Sequence, residues 1–252
     1  MRKIRLFAVI LITISFLSNF SITAQNKTEK ANPFKASVAV MSRYVWRGTD
    51  FGNSPSIQPS ISYINSNFTV ATWGAYTTNT QSLQEADIYV SYAFSKLFSL
   101  TITDYFFPNQ DSSNDTYFNY NDTSTGHVIE ASVNYTISKK IPLSLLIATN
   151  IYGADARKIN SDGTIGKKQF STYAELNYAF KNINIFLGSN LTNPNENVGE
   201  TGYFGNSIGI INIGVTVTKE LKFTKIYSLP LTISLITNPQ TQKIFLVAGF
   251  SF

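Results

Sequence analysis

The chain has 252 residues, a formal net charge of +5 at pH 7 and no cysteine. The missing thiols exclude a disulfide framework, a thiolate metal centre and a thioether lipid anchor. Charged residues make up 14 %, against about 25 % in ordinary globular domains, and aromatic residues another 14 %, mostly Phe and Tyr.

The first element is not part of a fold. Arg2, Lys3 and Arg5 precede an apolar run from Leu6 to Leu17, and Ile22-Thr23-Ala24 stands before Gln25. A basic start, a short apolar core and a small residue at the junction predict a secretory signal peptide over 1–24. Three of the five net positive charges fall in it, so the high isoelectric point does not point to nucleic acid. Beyond it no apolar run approaches the ~20 residues a membrane helix needs. The longest, Ile208 to Val217, is broken by Gly209, Asn212 and Gly214. An exported chain of this kind is a secreted β-sandwich or a transmembrane β-barrel.

Alternation with period 2 runs through the rest. It predicts twelve strands of about the ~9–11 residues that cross a membrane at a tilt. They fall at 34–47, 55–64, 67–77, 84–94, 97–107, 126–137, 142–152, 169–180, 182–191, 206–218, 229–237 and 242–252. Short turns such as "INSN", "SKL" and "KN" follow even-numbered strands. Long polar loops such as "GADARKINSDGTIGKK" follow odd-numbered ones. Short turns at one end and long loops at the other are the mark of an outer-membrane barrel. The segment 219–228 is the exception, long on the short-turn side, and extension of both flanking strands would account for it.

Strands running into the short turns end in aromatics on their apolar parity: Tyr63, Tyr92, Phe94, Tyr135, Tyr178, Phe180, Phe250 and Phe252. Rings repeated at one height form a girdle where lipid meets water. In hydrocarbon an open sheet would leave edge amides unpaired, so the first and last strands must meet. The predicted fold is therefore all-β, one transmembrane antiparallel up-and-down β-barrel over 25–252.

With the apolar parity outside, the other parity lines the lumen. Tyr44 and Trp46 share parity with Val38 and Val40 and are expected to face lipid. Arg43, Arg47, Asp87, Tyr89, Glu130, Tyr173 and Glu175 are expected to point inward, together with Glu85. Two readings fit such charges. Either they form a selective constriction, or they pair with one another and fill the barrel. A barrel of twelve strands lies between small filled ones and open porins, so any channel is narrow. Asp104, on the apolar parity of its strand, requires a rim position or a bulge.

The stretches "SRYVWRG", "TWGAY" and "EADIYVSYAF" resemble the TorF-type porin family, conserved outer-membrane β-barrel proteins of poorly known function. The matching residues are Ser42, Tyr44, Trp46, Arg47 and Gly48, then Trp73 and Gly74, then Glu85, Asp87 and Tyr89, with "DYFFP" similar to the segment that follows. The resemblance covers roughly residues 37–108. It implies an outer-membrane barrel with a transport role and supplies no substrate.

The remaining chemistry is sparse. His127 shares parity with Ile129 and is expected at the outer rim, in contact with lipid headgroups or water. Outer-membrane phospholipases are also twelve-stranded and place a serine site on the lipid side. No histidine–serine signature surrounds His127, so catalysis is not expected. Asp111, Asp115 and Asp122 lack the spacing of a calcium loop, and Arg157, Lys158, Lys167 and Lys168 suit a soluble loop or lipopolysaccharide phosphates. The expected function is passive passage of small polar solutes through a narrow charged lumen, without a cofactor. The alternatives are a filled barrel acting through its long loops and, further off, a lipid-modifying enzyme. The expected partners are outer-membrane lipids, lipopolysaccharide and, through the C-terminal strand, the barrel-assembly machinery, with no nucleic acid.

Overall fold

The computed structural model describes residues 32–79, 84–108, 116–138, 141–225 and 227–252. The signal-peptide expectation and the carboxylates Asp111 and Asp115 lie outside the described residues. In chain order the strands are β1 (Phe34–Met41), β2 (Val45–Trp46), β3 (Thr49–Asp50), β4 (Ser56–Asn65), β5 (Phe68–Thr77), β6 (Glu85–Ala93), β7 (Phe98–Phe106), β8 (His127–Thr136), β9 (Leu143–Gly153), β10 (Arg157–Ile159), β11 (Ile165–Lys168), β12 (Thr172–Phe180), β13 (Ile183–Asn190), β14 (Gly209–Lys222), β15 (Ser228–Asn238) and β16 (Lys243–Ser251). Twelve of them close into one antiparallel barrel, in the order β1-β16-β15-β14-β13-β12-β9-β8-β7-β6-β5-β4. β10 with β11, and β2 with β3, form separate two-stranded ribbons.

Closure is made by β1 against both β4 and β16. Val38 and Phe252 exchange backbone hydrogen bonds of 2.9 and 3.2 Å, so the last residue is part of the seam. No barrel edge is left to pair with another chain or to face hydrocarbon unsatisfied.

The alternation read from the sequence holds along most of the wall. On β6 Glu85, Asp87, Tyr89 and Ser91 are buried inward while Ile88, Val90 and Tyr92 are exposed outward. β8 and β12 repeat the pattern with Glu130, Asn134, Tyr173, Glu175 and Asn177 inside. The terminal aromatics stand on the outer surface at the short-turn end, with Tyr92 against Phe94 at 4.9 Å and Phe34 against Tyr63 at 5.0 Å. The long segment on that side resolves as strand extension: β14 and β15 stay paired from Ile213↔Thr237 to Lys222↔Ser228.

One expectation about the wall fails. The first strand does not run to residue 47 but ends at Met41, and residues 42–55 turn into the barrel. Tyr44 and Trp46 are buried inside it instead of facing lipid, and Val45 is buried with them. The core therefore lies within the barrel, in its long-loop half. Tyr44 and Trp46 meet Ala75, Tyr173, Phe204 and Ile211 there, and Val45 meets Phe186, Ile236 and Val247. Such burial contributes about 1.5–3 kcal/mol for a side chain like Val45. β5 presents the small Ala75 and, packed against it, Trp73 to this plug.

Candidate functional site

The plug is a miniature hairpin. Val45 pairs with Asp50 and Trp46 with Thr49, and Arg47-Gly48 form the two-residue turn between them. Both turn residues have positive φ, 48° and 78°, as the type I′ turn of a tight hairpin requires. Glycine meets that demand without strain and arginine does not. At Gly48 the space is also fixed: a Cβ there would lie 1.9 Å from the Ile211 carbonyl oxygen on β14. The Gly48 carbonyl accepts a hydrogen bond from Asn238 Nδ2 of β15 at 3.2 Å. The tip is thus pinned to the wall across the lumen. A bulge places Ile211 beneath it, since Gly188 opposes Asn212 and Ser189 opposes Ile210.

Arg47 is the centre of the plug. Its guanidinium donates to both carboxylate oxygens of Glu130, at 2.5 and 3.0 Å, and the pair is almost wholly buried, at 8 % and 2 %. Tyr105 donates a third hydrogen bond to Glu130 at 3.1 Å. The rings of Trp46, Tyr173 and Phe204 surround the guanidinium at 4.4, 4.6 and 4.9 Å. Arg43 is half-exposed, donates to Asp50 across the base of the hairpin at 2.6 Å, and also reaches Asn53. Tyr44 donates to Glu85 at 2.5 Å. Asp87 lies beside it, with one carboxylate oxygen unpartnered.

Glu175 is the third interior acid. It accepts from the Tyr173 hydroxyl, from Asn177 Nδ2 and from Asn212 Nδ2, the last two at 2.9 Å. Tyr173 fits only because Gly188 faces it: a Cβ at that position would come within 1.9 Å of the phenolic oxygen. Glu85, Asp87, Tyr89, Glu130, Tyr173 and Glu175 are buried on the inner side of the wall, and Arg43 and Arg47 reach the interior from the plug and not from the wall.

Below the plug an interior cavity of about 280 Å³ runs to the Lys181–Asn182 turn at the short-turn end. Its walls carry Thr103 and Ser132 on one side and Asn212, Thr216, Thr218, Thr232 and Ser234 on the other. Hydroxyls pair across β14 and β15, Thr216 with Ser234 at 2.8 Å and Thr218 with Thr232 at 3.3 Å. The sequence reading missed this wall because it weighed charges and gave hydroxyls no role.

At the long-loop end the connections interlock. Asp122 receives Arg157 at 2.7 Å and also Lys168, and these two cations hold its carboxyl down at about 2. Tyr152 donates to the Tyr120 carbonyl at 2.5 Å, and Glu200 accepts from the Ile159 and Asn195 amides. Arg157 and Lys168 are engaged in this cap and are not merely solvated. Asp122, once weighed for calcium, is occupied by cations of the chain. Among the described residues no group of three acids or histidines is arranged to hold a metal.

His127 is also corrected. It lies on the outer face as expected, but it is fully buried and does not touch lipid or water. Nδ1 meets Asp104 at 2.8 Å, Nε2 meets the Tyr117 carbonyl at 2.6 Å, and Tyr120 and Phe106 stack on the ring at 4.2 and 4.6 Å. Both nitrogens face acceptors, so neither is left to activate a nucleophile. Asp104 sits at the rim and also accepts from the Tyr120 hydroxyl at 3.0 Å, which resolves its place on an apolar parity.

A closed twelve-stranded barrel, apolar outside and polar and packed within, defines a transmembrane β-barrel of the outer-membrane type. The chain belongs to a bacterial family of proteins of unknown function, Gcw_chp, whose model matches residues 25–181. Among solved structures it is similar to the KdgM porin, at 12 % identity, with 86 % of this chain and 98 % of that one covered and a TM-score of 0.45. It is similar to the NanC porin at 9 % identity, with the same coverage and a TM-score of 0.47. It also resembles BamA from Haemophilus ducreyi at 11 % identity, covering 82 % of this chain and 41 % of that one, with a TM-score of 0.43. No curated protein matches its sequence.

Proposed function

We propose that this protein is exported behind the signal peptide 1–24, sits in the outer membrane, and is a narrow porin-like channel for small polar solutes that the inward hairpin 42–55 closes at rest. The observation that carries this reading is the polar cavity inside the barrel, which reaches the Lys181–Asn182 turn and is stopped by a plug held without covalent bonds. The outer aromatics, Tyr63 through Phe252, act as the girdle at the membrane boundary. The short turns face the periplasm, and the apolar strand Ile244–Phe252 is what the assembly machinery would recognise. The TorF-type resemblance is carried by the plug turn and by the β6 acids facing it, so the shared motif coincides with the gate.

A second reading has its own support. Arg47, Glu130 and Gly48 are so fully engaged that the plug suits a permanently filled barrel acting through its interlocked loops. Lys158 and Lys167, on the β10–β11 ribbon, would then meet lipopolysaccharide phosphates. Conductance in planar bilayers separates the two. A channel should show discrete steps, larger and more frequent when residues 43–53 are replaced by a short Gly-Ser link. If the shortened protein is folded and still silent, the channel reading falls and the loops become the working surface.

A further inference from the structure

The interior cavity is lined by groups that favour one kind of solute. Its interior cations are already spent: Arg47 is bidentate on Glu130 and Arg43 is on Asp50, while Lys181 is exposed at the short-turn end with its ammonium over the Phe180 ring. Glu175 already accepts from Tyr173, Asn177 and Asn212. An entering anion or cation would give up water and find its counter-charge satisfied, which is costly. The β14–β15 wall offers hydroxyls instead, and each can turn to donate or accept. Two acceptors, one on β13 and one on β14, have no partner. Asn212 Oδ1 and Asn184 Oδ1 are buried, and both residues line the cavity. Asn212 as a whole is 6 % exposed, and its amide nitrogen is committed to Tyr173 and Glu175. Unsatisfied buried acceptors call for a donor from a ligand or from water. The cavity also has an apolar flank, where Trp46 and Tyr105 come to its surface, and aromatic faces suit the C–H face of a sugar ring.

We propose that this cavity is a binding site for a neutral polyhydroxylated solute of the monosaccharide class, with Asn184, Asn212, Thr216 and Ser234 as its polar contacts and Trp46 as its stacking face. The site rests on the channel reading for its physiological use, since it would lie on the permeation path. Its volume holds on the order of nine waters at liquid density, which suits one sugar ring and excludes a long chain.

The test is equilibrium binding of labelled D-glucose to the refolded full-length barrel in detergent, with folding checked by heat-modifiable migration. Glucuronate and glucosamine serve as competitors because they keep the ring and put a charged group in place of the C6 hydroxymethyl or the 2-hydroxyl. Saturable glucose binding is expected, with both charged sugars about tenfold weaker competitors because each must be desolvated against satisfied partners. The double variant Thr216→Val with Ser234→Ala keeps side-chain volume closely and removes the hydroxyl pair. It should weaken binding about tenfold through lost hydrogen bonds, and Asn212→Leu should do the same if the double variant does not fold. No saturable glucose binding by a folded barrel overturns the proposal, and so does glucuronate or glucosamine competing as well as glucose itself. If glucose binds and the plug-shortened protein does not conduct, the site stands and the channel reading falls.

Discussion

At the long-loop half of the barrel, charge is matched with charge. Arg47 lies on Glu130, and Arg157 and Lys168 on Asp122. At the short-turn half, hydroxyls face one another across a cavity, and the buried Asn184 amide oxygen has no partner. The first half is held shut by charged pairs, whereas the second surrounds its cavity with neutral donors and acceptors. Breaking a buried pair leaves an uncompensated charge and costs about 3–5 kcal/mol, while losing one neutral hydrogen bond costs about 1. Stability should therefore concentrate in the plug half and binding in the other.

The sharpest way to break this contrast is Arg47→Ala, which leaves Glu130 buried without its cation. The folded barrel should lose about 3–5 kcal/mol, read as a lower midpoint of heat-modifiable migration. The double variant Arg47→Met with Glu130→Gln should recover much of that loss. If Arg47→Ala is neutral, the pair is not what holds the plug. Gly48→Ala comes next, because it forces a side chain into a positive-φ turn and against the Ile211 carbonyl. The conformational part alone is worth about 1–2 kcal/mol. The hairpin should leave its seat and admit a quencher to Trp46, and unchanged quenching would sink the argument that the turn is pinned.

His127→Ala tests the outer face. The variant removes the ring between Asp104 and the Tyr117 carbonyl, bonds of a kind that contribute about 1.5–3 kcal/mol where charge is involved. The effect should stay local, with faster proteolysis within residues 116–126 and an unchanged barrel midpoint. A fall in the midpoint as large as that of Arg47→Ala would mean that this face, and not the plug, carries the stability.

Much of the wall was legible in the sequence because lipid enforces it. A residue on the wrong parity of β6, β8 or β12 would put a carboxylate into hydrocarbon, so alternation and side agree. That pressure disappears where the chain leaves the wall. Tyr44 and Trp46 keep the parity of Val38 and Val40 and are aromatic, so they read as lipid-facing although they lie inside. The one local sign was Arg47-Gly48, and an arginine at positive φ is not a turn residue that composition announces. The same limit applies to His127. Its parity placed it outside correctly, but the cover of Tyr117 and Tyr120 comes from a connection whose fold no periodicity encodes. The hydroxyl wall was written plainly as Thr216, Thr218, Thr232 and Ser234, and only the strand register shows that these face one another.

The smallest effect belongs to Asp122, at the edge of the long-loop half. Lys168 and Arg157 depress its carboxyl from 3.8 to about 2, so the folded loop binds a proton less readily than the unfolded one. Whatever this clasp contributes is fully present above about pH 4 and is lost as pH falls through about 2. Because the carboxylate is 35 % exposed, solvent screens it and the contribution is below about 1 kcal/mol. Amide relaxation over residues 154–171 should show the loop loosening only at the acid end, while Asp122→Asn should loosen it equally at pH 3 and pH 7. A loop that stays rigid in the variant would leave its order to the remaining contacts of Gln169 and Glu200. The charge-matched half would then extend inward from the barrel rim and not through the outer loops.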